Sequence, residues 1–194
     1  QASQVTHVDQ VIVATDDSRI EKAVQKFGGQ VQIITKPCRT GTDRVAEVTR
    51  LISSEVILNV QADEIILTPE LLNDLINRFL ENPVPIGTLR RKIAEQDEFF
   101  QTSVVKVVTD EAGRALYFSR APIPHTRDCT DQSSVPAFAS IHLGVYIFQR
   151  TTLLRFSDLP TGKLENVEKL EQLRALEHDI PCLLYTSPSP RDQR

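Results

Sequence analysis

The segment "NVQADE", residues 59–64, closes an apolar run of Ile57, Leu58, Asn59 and Val60 on two adjacent carboxylates, Asp63 and Glu64. A chain that only has to reverse direction at such a point uses Gly, Asn or Pro. An aspartate at the tip of a buried strand suits a hard cation such as Mg2+, which takes one or two carboxylates together with substrate phosphate oxygens. Two further places offer matching chemistry: "VIVAT" (11–15) runs into Asp16 and Asp17, and "QIIT" (32–35) runs into "KPCRTGTDR" (36–44). In that loop Thr40, Gly41 and Thr42 stand ahead of a helix, where free backbone N–H groups suit polar or anionic groups. Plainer readings stand beside each of these. Asp16 or Asp17 starts the turn into a helix; Thr42 and Asp43 are an N-cap and a first-turn acid; Asp63 and Glu64 are a solvated strand end. Pattern alone leaves these alternatives open.

The elements that must position these residues alternate. "QVIVAT" (10–15) is a β-branched run that predicts a buried strand. Ser18 is placed to cap the following helix "SRIEKAVQKF", with Glu21 at capping-box spacing and Gly28-Gly29 as its stop. "QVQIIT" is the next strand, "TDRVAEVTRLIS" a helix, and "EVILNV" the third strand. Pro69 opens "PELLNDLINRFLEN", where its missing N–H is harmless. This alternation predicts an α/β fold, a mostly parallel sheet with helices on both faces. The later part differs: "SVVKVVTDEAGRALYFSR" reads as a hairpin around Asp110 to Gly113, "IHLGVYIF" as a strand, and "ENVEKLEQLRALE" as one amphipathic helix striped by Val167, Leu170, Leu173 and Leu176. The expected architecture is a nucleotide-binding half carrying an antiparallel insertion. In such sheets ligands bind beyond the carboxyl ends of the strands, so the three strand tips are the places to search.

Composition sets the outer limits. The chain has 194 residues, 40% hydrophobic and 25% charged, with a net charge of −4 and a pI near 5.6. That gives no support for a nucleic-acid footprint. No apolar run approaches a membrane span and no signal peptide opens the chain, so a cytoplasmic location is expected. Cys38, Cys129 and Cys182 form neither a CxxC pair nor a zinc-finger spacing. The chain begins at Gln1 and contains no Met, and "CLLYTSPSPRD" (182–192) changes abruptly to Ser, Pro and charge. That segment reads as a disordered Pro/Ser tail or, preferred here, as a non-native stretch similar to a translated sequencing adapter. The expectation is an incomplete domain over residues 1–181 and an adapter-like tail over 182–194.

Five stretches in order, "TGTDRVAE" (40–47), "NVQADE" (59–64), "VVKVVTDEAGRALYFSRAPIP" (104–124), "IHLGVYIF" (141–148) and "LENVEKLEQLRALE" (164–177), together resemble the 3-deoxy-manno-octulosonate (Kdo) cytidylyltransferases, the CMP-Kdo synthetases of Gram-negative bacteria. The resemblance implies a Rossmann-like nucleotidyltransferase sheet, Mg2+ as cofactor, a homodimer, and transfer of CMP from CTP to the anomeric hydroxyl of Kdo for lipopolysaccharide synthesis. It makes Asp63 the catalytic, metal-binding aspartate. Thr40, Gly41, Thr42 and Arg44 match the loop for cytosine and ribose. Gln61, Arg120, His142, Tyr146, Glu171 and Gln172 match positions that meet the sugar acid, with Arg120 facing its carboxylate as a guanidinium fork can. The plain alternatives are an arginine holding a turn by a salt bridge, a structural strand histidine, and a polar helix face at Glu171 and Gln172.

Departures accompany the match. Ala62 and Ile65 stand where the family motif "NVQGDEP" has Gly and Pro, and Cys38 where many members have His. A phosphate loop of the "IPAR…S.RLPGKP" kind and an aspartate in "D.PEDL" are absent, so the 194-residue chain by itself is expected to be inactive. Two other readings remain: a cytidylyltransferase for another sugar acid such as sialic acid, and a non-catalytic relative kept for binding or dimerisation.

Overall fold

The computed structural model describes residues 2–62, 64, 67–127, 135, 136 and 138–187. The chain divides into two compact units, one of Gln1–Pro83 with Ile147–Asp158, the other of Val84–Tyr146 with Leu159–Arg194.

In the first unit β1 (Ile12–Thr15) and β2 (Gln30–Ile33) pair in parallel, from Ile12 opposite Gln30 to Thr15 opposite Ile33. They form a two-stranded sheet of their own. Between them runs α1 (Ser18–Lys26), whose N-cap is Asp17 rather than the expected Ser18: its carboxylate accepts the Arg19 N–H at 2.7 Å. A carboxylate reaches the first-turn N–H donors at least as well as a hydroxyl, and it also answers the positive end of the helix. Gly28, at φ +76°, provides the predicted stop. Next come α2 (Gly41–Thr49), β3 (Val56–Val60) and α3 (Pro69–Glu81), the last capped by Thr68. Leu71, Leu72, Leu75, Ile76 and Phe79 of α3 are buried, the stripe an amphipathic helix must cover.

The second unit contains β4 (Ile86–Lys92), α4 (Gln96–Phe100), the hairpin β5 (Lys106–Thr109) and β6 (Ala115–Ser119), and most of the long strand β7 (Ser140–Gln149). The predicted hairpin is present, antiparallel, with Gly113 at φ +80° in its turn, where a side chain would be strained. β5 also pairs antiparallel with β7, which gives the order β6-β5-β7-β4-β8, and β3 pairs with β7 outside that order. Helix α5 (Arg150–Asp158), which periodicity missed, follows β7 in the first unit.

One expectation fails here. The helix read across 165–177 is two helices, α6 (Lys163–Glu168) and α7 (Gln172–Glu177), with Lys169 in the left-handed region at φ +55°. Leu170 and Leu173 are buried, but Val167 is 82% exposed, so the stripe does not continue through the break. The segment read as an adapter-like tail begins at residue 182. Cys182–Thr186 form β8, parallel to β4, and Cys182 and Leu184 are buried. An alternating apolar segment beside an open strand edge can pair whatever its origin.

Candidate active site

On the nucleotide side, the expected residues lie at the start of α2. Thr40 is the N-cap, its hydroxyl accepting the Asp43 N–H at 3.2 Å. Thr42 turns inward: its hydroxyl accepts from the Asn59 amide of β3 at 2.9 Å, and it is almost wholly buried. Its side chain braces the loop there. Arg44 does reach a strand tip, with its Nη2 donating to Asp16 at 2.6 Å, while its Nε–H is buried with no acceptor among the described residues. The two aspartates after β1 thus divide the work, Asp17 capping a helix and Asp16 holding an arginine. The hydrogen-bonded Arg19 side chain lowers the Asp17 carboxyl to about 2.

Beyond β3, the Glu64 N–H donates to the Gln61 carbonyl at 3.2 Å, which forms a turn. Asp63 itself lies outside the described residues. Among the described residues no group of three or more His, Cys, Asp or Glu could hold a metal ion.

On the sugar side, in the second unit, His142 and Tyr146 share a face of β7 and their ring centroids lie 5.3 Å apart. Phe118 of β6 meets the imidazole edge-on at 5.0 Å, and Thr88 of β4 places its hydroxyl 2.9 Å from Nε2. Burial drives the His142 pKa down to about 3, so the ring is neutral. Gln172 is buried at the first position of α7, and Glu171 immediately precedes it, half-buried.

Arg120 follows β6 and is held at every part. Its Nε donates to the Glu168 carbonyl at 2.9 Å, Nη1 to Thr102 at 3.1 Å and Nη2 to Lys169 at 3.5 Å, all backbone oxygens. Its own N–H donates to the Glu168 carboxylate at 2.9 Å, and its carbonyl accepts from Lys106 Nζ at 2.6 Å. The arginine does hold a turn, but with carbonyls in place of the salt bridge considered from sequence. Among the described residues no carboxylate is in contact with the guanidinium. Three of its five N–H groups are engaged there, which leaves two without a described partner. The break after α6 has the same cause. The Glu168 carbonyl, which a continuous helix would give to the residue four positions on, is given to Arg120 instead.

Lys106 and Glu168 are the residues that sequence reasoning missed. Lys106 is fully buried, and its ammonium donates to the carbonyls of Gln101 and Val104, both at 2.8 Å, as well as to Arg120. Burial, then the charge of Arg120, pulls its pKa below the ordinary lysine value against the opposing pull of Glu168. Glu168 accepts from the Ser119 hydroxyl at 2.6 Å. Burial raises its pKa, but the Arg120 N–H and the Ser119 and Tyr117 hydroxyls outweigh this and leave it below the usual glutamate value. The available signal was a lysine inside the apolar run "VVKVV", since lysine enters a strand core only with partners for its charge.

A family profile described as cytidylyltransferase matches residues 1–181. The chain belongs to the cytidylyltransferase family. Among relatives of this cytidylyltransferase is the 3-deoxy-manno-octulosonate cytidylyltransferase of Syntrophotalea carbinolica, 46% identical over 183 residues, a match spanning 92% of this chain and 73% of the relative. The enzyme of the same name from Geobacter sulfurreducens is 46% identical over 178 residues, covering 88% and 71%. A solved structure of CMP:2-keto-3-deoxy-manno-octonic acid synthetase complexed with CTP superposes with a TM-score of 0.86 at 36% identity, covering 96% of this chain and 75% of that one. The cytidylyltransferase is therefore a nucleotidyltransferase with the Rossmann-like α/β fold of that enzyme. No helix among its described residues is long and apolar enough to cross a membrane.

Proposed function

We propose that this cytidylyltransferase transfers CMP from CTP to the anomeric hydroxyl of Kdo, yielding CMP-Kdo and pyrophosphate for lipopolysaccharide synthesis. The sugar oxygen forms a bond to the α-phosphorus, the bond to the bridging oxygen of pyrophosphate breaks, and the hydroxyl proton leaves to solvent. Such a transfer depends on positioning and on electrostatic stabilisation of an in-line displacement. Arg120 takes the sugar carboxylate with its two remaining N–H groups, and its grip on neutral carbonyls leaves its charge for that anion. Gln61, His142, Tyr146, Glu171 and Gln172 meet the sugar. Thr40, Gly41 and Arg44 meet cytosine and ribose, the buried Arg44 Nε–H being a donor still in need of an acceptor. Asp63 is the residue for Mg2+, whose chemistry when bound is to neutralise the triphosphate and the departing pyrophosphate. The enzyme is a cytoplasmic homodimer.

The observation that carries this reading is Arg120, a clamped arginine with no contact carboxylate among the described residues, in a chain 46% identical to a Kdo cytidylyltransferase. The test is pyrophosphate release by the protein expressed from its complete gene, with CTP, Mg2+ and either Kdo or sialic acid. Release with Kdo alone is expected. Release with sialic acid alone, or CTP binding without turnover of either sugar acid, would refute the assignment.

A further inference from the structure

The hydroxyl of Thr88 has one proton to give, and its shortest contact is to the Val145 carbonyl at 2.6 Å. A carbonyl can only accept, so the proton goes there, with the Leu143 carbonyl at 3.4 Å a weaker second acceptor. The same oxygen lies 2.9 Å from Nε2 of His142. Were Nε2 unprotonated, two lone pairs would face each other at that distance inside the fold. Nε2 therefore carries the imidazole proton and donates to Thr88, and the neutral ring keeps its lone pair on Nδ1. No described residue donates to Nδ1, and His142 retains 7% of its surface open to solvent. The rings of Phe118, edge-on at 5.0 Å, and Tyr146, tilted at 5.3 Å, pack against the imidazole. Thr88 is fully buried and cannot itself reach a ligand.

We infer that Thr88 is a positioning residue that fixes His142 as the Nε2–H tautomer, so that Nδ1 presents a hydrogen-bond acceptor to a hydroxyl of the sugar acid. The assignment rests on the functional reading above, in which His142 meets the sugar. It makes His142 an acceptor that selects for a donor at one sugar position, and it excludes both an acid and a cationic role for the ring. A site built to accept from a hydroxyl discriminates against analogues that lack it.

The experiment combines imidazole 15N–1H correlation spectra of the protein with steady-state kinetics of Thr88→Val and Thr88→Ser. Wild-type spectra should show a protonated Nε2, and Nδ1 should shift when Kdo is added. Thr88→Val should lose the protected Nε2–H signal and raise the KM for Kdo about tenfold, the cost of one misplaced hydrogen bond. The KM for CTP should stay put, and Thr88→Ser should restore signal and KM together. A wild-type ring protonated on Nδ1 overturns the inference, and that measurement needs no variant to fold. An unchanged KM for Kdo in an active Thr88→Val enzyme overturns it while leaving the functional reading intact. Wild-type protein that makes no CMP-Kdo overturns the functional reading and the inference with it.

Discussion

Arg44 in the first unit and Arg120 in the second are both carried by motifs that point to ligand binding, and they are held in opposite ways. Arg44 faces a carboxylate, Asp16, at 2.6 Å, so a ligand there must compete with or extend an ion pair already made. Among the described residues the Arg120 guanidinium donates to backbone oxygens only, and the Glu168 carboxylate spends itself on the Arg120 N–H and the Ser119 hydroxyl. An ion pair fixes an arginine by neutralising it, whereas carbonyls fix it and leave the charge available. Recognition of an uncharged base and ribose tolerates the first arrangement; capture of a sugar carboxylate requires the second.

The sharpest way to break this contrast is to remove the ammonium beneath it. Lys106→Met strips a donor from three carbonyls at once, and should lower stability by about 3 kcal/mol, read as a fall in the urea midpoint with unchanged slope. Arg120→Ala should reduce kcat/KM for Kdo about 100-fold and leave the KM for CTP nearly unaffected, while Arg120→Lys should recover only part of the loss because a single ammonium cannot reproduce the fork. Arg44→Ala should be milder, raising the KM for CTP about tenfold. Equal losses for the two arginines in these kinetics would erase the distinction drawn between them.

The smallest effect is one of pH. An unfolded His142 protonates near its ordinary 6.5, the folded ring only near 3, so between those values the unfolded chain holds the extra proton. Stability should decline as pH falls from 6.5 toward 3. Glu168, whose pKa is depressed, adds its own decline below 4.5. Denaturation midpoints across that range check this, and His142→Phe should flatten the upper part of the curve while leaving the lower part.

Local periodicity was a good guide where an element is governed by its own face. β1, α2, α3 and the hairpin are legible in their apolar spacing, Pro69 and Gly113. It failed where a distant partner decides. Nothing in "ENVEKLEQLRALE" announces a break, because the cause is Arg120, roughly fifty residues earlier, taking the Glu168 carbonyl. Lys106 looked like one polar residue in a strand, and its three acceptors become visible only when residues 101, 104 and 120 come together. The inward contact of Thr42 has the same character, since its partner Asn59 lies on β3, seventeen residues on. Candidate residues can be named from type and motif; what each can do depends on which hydrogen-bond partners the fold delivers.

Helix α6 has six residues, too few to persist in water without support from its surroundings. Its first amides, at Leu164 and Glu165, are held by the Glu177 carboxylate at 3.1 and 3.3 Å, Glu165 pairs with Arg174 at 2.5 Å, and its last carbonyl is held by Arg120. A segment secured largely from outside opens when its fastenings open, so its amide protons exchange at a rate set by them. The helix is in that sense a gauge attached to Arg120: an anion that stills the guanidinium slows hydrogen exchange across residues 163–168, far more than in α3, whose thirteen residues are secured by their own buried stripe.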